Sequence, residues 1–435
     1  MSETVHNTSQ QDLIKDRIEN HDATVIDKDP YEVDLADFNM ANPHLFSSDT
    51  LWPWFQRLRE EDPVHYCRDS MFGPYWSVTR YEDIMKVDTS HDIFSSEPNI
   101  TVGDFQEDFK LSTFIAMDRP KHDEQRAVVN PAVRGEQLLN FEPLIRERTA
   151  DVLDSLPIGE EFNWVEKVSV ELTTRMLATL FDFPFEDRAK LTRWSDVTFA
   201  IPGLGIIDSE EQRRTELLEC LAAFTELWNE RVNEEPKGDF ISLLAHGSAT
   251  QEMDPFEYLG NILLLIVGGN DTTRNSMSAS VLCQNLYPEQ FEKLKANPEL
   301  LPSMVAETIR WQTPLAYMRR TANQDTILGG KQIKKGDKVL MWYVSGNRDE
   351  SHFDNPDDYI IDRHNVRSHL SFGFGIHRCM GNRVGEMQLK ILWEEILKRF
   401  DRVEVVGEPE RTASSFVKGY ASLPVVLHAK SHKPS

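Results

Sequence analysis

The residues best placed to do chemistry lie near the C-terminus, in Ser371-Phe372-Gly373-Phe374-Gly375-Ile376-His377-Arg378-Cys379-Met380-Gly381. Three glycines surround one cysteine, and a helical pattern starts directly after it. Glycine permits tight turns and close approach of backbone to a flat group. A cysteine where a loop enters a helix meets free amides and the positive end of the helix dipole, which favour thiolate over thiol. A thiolate on a loop that can press against a planar group is what a haem iron requires as an axial ligand. An isolated buried cysteine is more often an inert small hydrophobe. The glycines, the aromatic residue and the basic residues at fixed offsets turn the reading of Cys379 towards a ligand.

The pattern Phe372-x-x-Gly375-x-x-x-Cys379-x-Gly381, with Gly373 and His377 in place, resembles the haem-ligand signature of the cytochrome P450 family. The resemblance implies a mainly α single-domain fold with minor β, a long central helix over haem b and the cysteine loop beneath it. Cys379 would be the axial iron ligand, in a loop formed with Phe372, Gly373, His377 and Gly381. Three further features fall where the family places them. In Gly268-Gly269-Asn270-Asp271-Thr272-Thr273, a helical threonine normally bonds back to the carbonyl four residues earlier, here Gly268. A glycine there lets the helix open into a groove for dioxygen, which Thr272 would steady while Asp271 feeds protons inward. Glu307 and Arg310, at i, i+3, would form a buried structural network with Arg363. His122, Arg126, His377 and either Arg320 or Arg319 would hold the haem propionates, since buried carboxylates need partners.

The resemblance covers the chain from about residue 37 onwards. The stretches from Leu265 to Ser278, Ile309 to Arg320 and Phe374 to Arg383 look like the bacterial terminal alkane hydroxylases of that family. This implies omega-hydroxylation of medium-chain alkanes or fatty acids with O2. Leu264, Val267, Gly268, Leu315 and Phe416 would line a tunnel, together with a lid from Ile100 to Ile115 and a break at Ile201 to Ile206. The chain carries no GxGxxG motif or ferredoxin cysteine cluster, so electrons would come indirectly from NADH through a ferredoxin and its reductase. Arg378, Arg383 and Lys390 could form a landing patch. A peroxide-driven haem hydroxylase would lack the Asp271-Thr272 pair, and a haem sensor or carrier would not need it.

Elements must position these residues. Hydrophobic spacing predicts helices over Ser48 to Asp62, Tyr81 to Val87, Gly135 to Leu156, Val165 to Phe181, Phe185 to Phe199 and Ser209 to Asn233. Another opens at Pro120 and carries His122 and Arg126 at i, i+4. Asp254 to about Leu286 reads as one long helix, interrupted in propensity by Gly260, Gly268 and Gly269. Further helices follow at Pro302 to Trp311 and Arg383 to Arg399. Strands are expected at Val64 to Tyr66, Tyr75 to Val78, Thr326 to Leu328, Val339 to Trp342, Val403 to Val406 and Leu423 to Leu427. His91 to Met117 is long, irregular and rich in Phe94, Phe105, Phe109 and Phe114, which suggests a lid. The expected layout is a polar arm over 1–36, the haem domain over 37–430 and a tail over 431–435.

Composition narrows the partners. A formal charge of −25 over 435 residues argues against nucleic acid or an anionic membrane surface. The four cysteines, Cys67, Cys220, Cys283 and Cys379, have neither zinc-finger nor redox-pair spacing, which fits a reducing cytoplasm. No apolar run approaches the ~20 residues that span a bilayer.

Overall fold

Asp254 accepts hydrogen bonds from the backbone N–H of Phe256 and Glu257 at 2.9 and 3.1 Å, and with Pro255 behind it opens a helix of 32 residues, Pro255–Leu286. This helix is the spine of the computed structural model, which describes residues 24–104 and 109–430. In chain order the helices before it are α1 (Pro43–Ser47), α2 (Trp52–Glu61), α3 (Tyr81–Thr89), α4 (Lys121–Val129) and α5 (Gly135–Asp154). Next come α6 (Glu171–Phe181), α7 (Ala189–Thr198), α8 (Glu210–Arg231), α9 (Phe240–His246) and the spine itself, α10. After it come α11 (Pro288–Ala296), α12 (Leu301–Gln312), α13 (Tyr343–Gly346) and α14 (Asn382–Arg399). The mainly α reading with minor β holds.

The spine is buried on most of its circumference, against α6, α7, α12, α14 and the turn at Val165–Val170. Gly260 serves that packing. A Cβ at Gly260 would lie 2.2 Å from the carbonyl oxygen of Ser112, so only glycine lets the expected lid segment lie against the helix. The neighbouring Asn261 Oδ1 accepts from Phe114 N–H at 2.9 Å and fastens the contact.

In chain order the strands are β1 (Val64–Cys67), β2 (Tyr75–Val78), β3 (Phe94–Ser95), β4 (Glu161–Asn163), β5 (Met318–Ala322), β6 (Thr326–Leu328), β7 (Lys331–Ile333), β8 (Lys338–Met341), β9 (Phe400–Val405), β10 (Glu410–Arg411), β11 (Tyr420–Ser422) and β12 (Pro424–Ala429). The main sheet has five of them, in the order β1, β2, β8, β5, β3. β1–β2, β5–β8 and β3–β5 are antiparallel, whereas β2–β8 is parallel. The sheet brings Arg319 and Arg320 beside Leu340 and Val339.

Several elements differ from expectation. The helix expected over Val165 to Phe181 begins as a π-helical turn at Val165–Val170 and ends where Asp182 takes φ +47°. α1, α9 and α11 carried too little periodic apolar signal to be predicted, and β5, which reads Met-Arg-Arg-Thr-Ala, is expected as the strand after Arg310 only through the family resemblance. Of the arm expected over 1–36, residues 1–23 lie outside the described residues, as do Phe105 and the tail 431–435. Val25, Ile26, Val33 and Leu35 pack against the apolar cluster that holds Phe38, Trp54 and Trp342.

Candidate active site

The cysteine loop is shaped by two left-handed glycines, Gly373 at φ +63° and Gly375 at φ +66°. A Cβ at Gly375 would meet the Asp88 carbonyl oxygen at 2.6 Å, so the loop is pressed onto the C-terminal end of α3. Cys379 N–H donates to Phe372 O at 2.8 Å, which closes the loop just before α14. The Cys379 side chain is accessible, and what it faces is an internal cavity of about 1460 Å³. Burial raises the thiol pKa above its ordinary value, against the opposing pull of Gly381 N–H, Arg126, Asn382 N–H and Arg378. The helix-end amides thus pull towards thiolate, as expected, and desolvation opposes them.

Phe372, Gly373, His377 and Gly381 line the same cavity, as do Arg126 and Arg320. His122 and His377 sit with ring centroids 4.1 Å apart. His122 Nδ1 lies 2.7 Å from Asp123 Oδ1, and His377 Nε2 lies 2.7 Å from Ser96 Oγ. Their other ring nitrogens, His122 Nε2 and His377 Nδ1, are buried with no hydrogen-bond partner among the described residues. Burial lowers both pKa values, that of His377 to about 2, so the His377 ring is neutral, while the Asp123 carboxylate opposes the shift at His122. Arg126 donates to the carbonyl oxygen of Arg378. Arg320 Nη2 donates to Asp88 Oδ1 at 2.9 Å within a fully buried pair. Arg319 does not join them, which corrects the either-or expectation. Successive strand residues point to opposite faces, and Arg319 Nη1 instead donates to Asp104 Oδ1 at 2.6 Å.

On α10 the two central glycines divide their tasks. A Cβ at Gly269 would meet Leu177 Cδ2 at 2.8 Å, whereas one at Gly268 meets nothing within 4 Å. Gly268 thus opens the cavity and Gly269 lets α6 approach. The expected helix opening is not seen: α10 runs through this region, and Thr272 Oγ1 donates to Gly268 O at 3.1 Å. Thr272 lines the cavity. Asp271, one position earlier and about 100° around the helix, faces α7 and is buried. Its Oδ1 accepts from Ser195 Oγ at 2.9 Å, Asn270 Nδ2 at 3.1 Å and Arg274 Nη2 at 3.1 Å. Burial raises its pKa, as does the neighbouring Asp196 carboxylate, while Arg274 pulls it down.

Leu264, Val267, Gly268, Leu315 and Phe416 all border the cavity, together with Ile100 and Ile201 from the two expected boundary segments. Phe199, at the end of α7, also borders it and meets Phe416 with ring centroids 4.8 Å apart, a pairing that local sequence gave no means to see. Behind the cysteine loop, Glu307 accepts from Arg310 Nε at 2.7 Å and Arg363 Nε at 3.2 Å, with Glu307 and Arg310 fully buried. Arg378 and Arg383 are exposed, but Lys390 is bonded to Glu394 at 2.6 Å.

The family model for cytochrome P450 matches residues 206–418. Linalool 8-monooxygenase of Pseudomonas putida is 34% identical over 404 residues, covering 90% of this chain and 99% of that enzyme. This chain belongs to the cytochrome P450 family. The fold agrees: CYP153D17 from Sphingomonas sp. PAMC 26605 superposes with a TM-score of 0.85 at 49% identity, over 89% of this chain and 98% of that one. A methyl-branched lipid omega-hydroxylase of Mycobacterium tuberculosis is 30% identical over 91% of this chain and 96% of that enzyme. The protein is thus a P450 monooxygenase, an oxidoreductase whose family uses haem iron and O2.

The P450 cofactor fits the residues present. Pockets for a single small ligand hold roughly 300–1,000 Å³, and this cavity exceeds that range, which leaves room for a substrate beside a haem. Cys379 faces it from one wall, and the unpartnered nitrogens of His122 and His377 are suited to propionate oxygens. Among the described residues, no helix is long and apolar enough to cross a membrane.

Proposed function

We propose that this P450 hydroxylates the terminal methyl of medium-chain alkanes or fatty acids, giving primary alcohols. The observation that carries the reading is a single cavity in which Cys379 and Thr272 share walls with Leu264, Val267, Leu315 and Phe416. Haem b held through Cys379 supplies dioxygen activation and the power to oxidise an unactivated C–H bond. A terminal methyl has stronger C–H bonds than the methylenes beside it, so the chain must be held end-on. Apolar side chains on several sides orient it and exclude water.

His122, His377, Arg126 and Arg320 hold the propionates. His377 donates from Nδ1 while the Ser96 hydroxyl donates to its Nε2. His122, whose Nδ1–H is taken by the Asp123 carboxylate, donates from Nε2 as an imidazolium that Asp123 and a propionate stabilise. Asp271 and Thr272 manage proton delivery, with Thr272 Oγ1 the group that faces the cavity. Because Asp271 faces α7, delivery requires its carboxyl to leave Ser195 and Arg274. Electrons come from NADH through a ferredoxin and its reductase, docking beside exposed Arg378 and Arg383. One relative supports the reading by name, a methyl-branched lipid omega-hydroxylase.

The test is a substrate-induced spin-shift titration across a chain-length series, alkanes beside fatty acids, followed by product analysis. Saturable shifts and primary alcohols are expected. Products confined to subterminal carbons, or no shift with any chain, would reject the reading.

A further inference from the structure

Phe416 stands on a turn fastened at many points. Ser414 Oγ accepts from the N–H of Phe416 and Val417 at 3.3 and 3.2 Å. Ala316 N–H donates to Phe416 O at 2.9 Å, Lys418 N–H donates to Pro314 O at 2.8 Å, and Leu315 pairs with Val417 as an isolated bridge. The two cavity-lining residues Leu315 and Phe416 therefore belong to one backbone unit.

The end of that unit is held by a buried cation. Lys418 is 5% exposed, and among the described residues no carboxylate lies within ion-pair distance of it. Its Nζ donates to Gln312 Oε1 at 3.3 Å, and Gln312 Nε2 donates back to Lys418 O at 2.8 Å. Tyr420 Oη donates to the same Gln312 oxygen at 2.8 Å. The ammonium also lies 5.3 Å from the Trp52 ring centroid and 5.8 Å from that of Trp311. The faces of these rings attract cations, and Arg348 shares both, at 4.4 and 5.0 Å. A buried ammonium without a carboxylate partner is costly, so these contacts must hold it.

We propose that Lys418 is a positioning residue for substrate, its ammonium clamping the Ser414–Lys418 turn against Gln312, Trp52 and Trp311 and so fixing Phe416 in the cavity wall. The assignment rests on the reading of Phe416 as a substrate-facing residue. The clamp is titratable. Burial lowers the Lys418 pKa to about 8, helped by Arg348 and Arg411 and opposed by Asp49 and the Cys283 thiol. Arg411 comes from β10 (Glu410–Arg411), Asp49 from the link between α1 and α2, Arg348 from just after α13 and Cys283 from α10. Above the midpoint the amine keeps its hydrogen bond to Gln312 but loses the attraction of the two rings, and the turn loosens.

The experiment titrates the haem-loaded enzyme with N-dodecylimidazole and with plain imidazole from pH 6.5 to 9.5, reading the optical shift. The affinity ratio cancels the azole's own protonation and reports the grip on the chain. In the parent the ratio should fall several-fold with a midpoint near pH 8. In Lys418→Met it should be flat. In Asp49→Asn the midpoint should move lower, because a charge that favours the ammonium is removed. Asparagine also tolerates the φ of +59° at that position. A flat ratio in the parent overturns the proposal without needing any variant, as does a Lys418→Met enzyme that keeps the parent's titration. If no alkane or fatty acid shifts the spin state while the dodecylimidazole titration behaves as stated, the substrate reading falls and the Lys418 assignment stands.

Discussion

Arg320 Nη2 lies 2.9 Å from Asp88 Oδ1, joining a cavity-lining cation on β5 to the last turn of α3. Asp88 also accepts from Tyr343 Oη at 2.9 Å and from Phe374 N–H at 2.8 Å. One buried carboxylate therefore fixes a proposed propionate ligand and the approach to the cysteine loop together. Removing one partner of a buried pair leaves the other charged and alone, at a cost of about 3–5 kcal/mol. Asp88→Ala should lose stability of that order in urea unfolding and retain less haem per chain by Soret absorbance. Asp88→Asn, which still accepts hydrogen bonds, should retain more. Equal haem retention in parent and both variants would show that Asp88 does not organise this wall.

Gly268 and Gly269 should respond oppositely to the same added methyl. Gly268→Ala introduces a Cβ with no neighbour within 4 Å and gains up to about 1 kcal/mol of helix propensity. Its thermal midpoint should hold or rise, while chain-length preference and product regiochemistry change. Gly269→Ala drives a Cβ to 2.8 Å from Leu177 Cδ2. Overpacking costs about 1–3 kcal/mol, so that variant should be less stable with regiochemistry near the parent's. Matching stability changes in the two would contradict the division between cavity and packing.

Much of this was legible in the sequence because local rules carried it. The capped, apolar α10 followed from Asp254, Pro255 and helical spacing, and the cysteine loop from glycines at fixed offsets. What escaped depends on distant contacts. Asp88 gives no local sign that it will meet Arg320, since 232 residues separate them. The choice between Arg319 and Arg320 needed the strand's facing, and β5 lacks the alternating apolar pattern that would have revealed a strand. Asp271 offered one overlooked clue, Arg274 at i+3. Its orientation towards Ser195 came only with the packing of α7 on α10.

His369 makes stability depend on acid. It is 5% exposed, with Nδ1 lacking a hydrogen-bond partner among the described residues. Burial first, then Arg310, Arg378 and Arg367, lowers its pKa to about 3. Above the ordinary value of about 6.5, folded and unfolded chains are both neutral here. Between that value and about 3 the unfolded chain binds a proton that the folded one refuses, so stability falls with pH by about 1.4 kcal/mol per unit from this group. Urea midpoints of the haem-loaded enzyme should drop from pH 7 to pH 5, and more gently in His369→Gln. An unchanged slope in the variant would assign the acid sensitivity elsewhere.

Thr272 separates oxygenase from haem carrier. Its hydroxyl lines the cavity and is already donated to Gly268 O at 3.1 Å, so the fold needs it little at a position where alanine is the better helix former. Thr272→Ala should keep haem content, thermal midpoint and substrate-induced spin shift. With ferredoxin, reductase and NADH supplied, the fraction of electrons recovered as alcohol should fall and hydrogen peroxide should rise in proportion, because protons no longer arrive through Oγ1. Thr272→Ser, which restores the hydroxyl, should recover most of the coupling. Asp271→Asn keeps an acceptor for Ser195 but has no proton to give, so it should lower turnover without the same rise in peroxide. A Thr272→Ala enzyme with the parent's ratio of alcohol formed to NADH consumed would place the proton route elsewhere on α10.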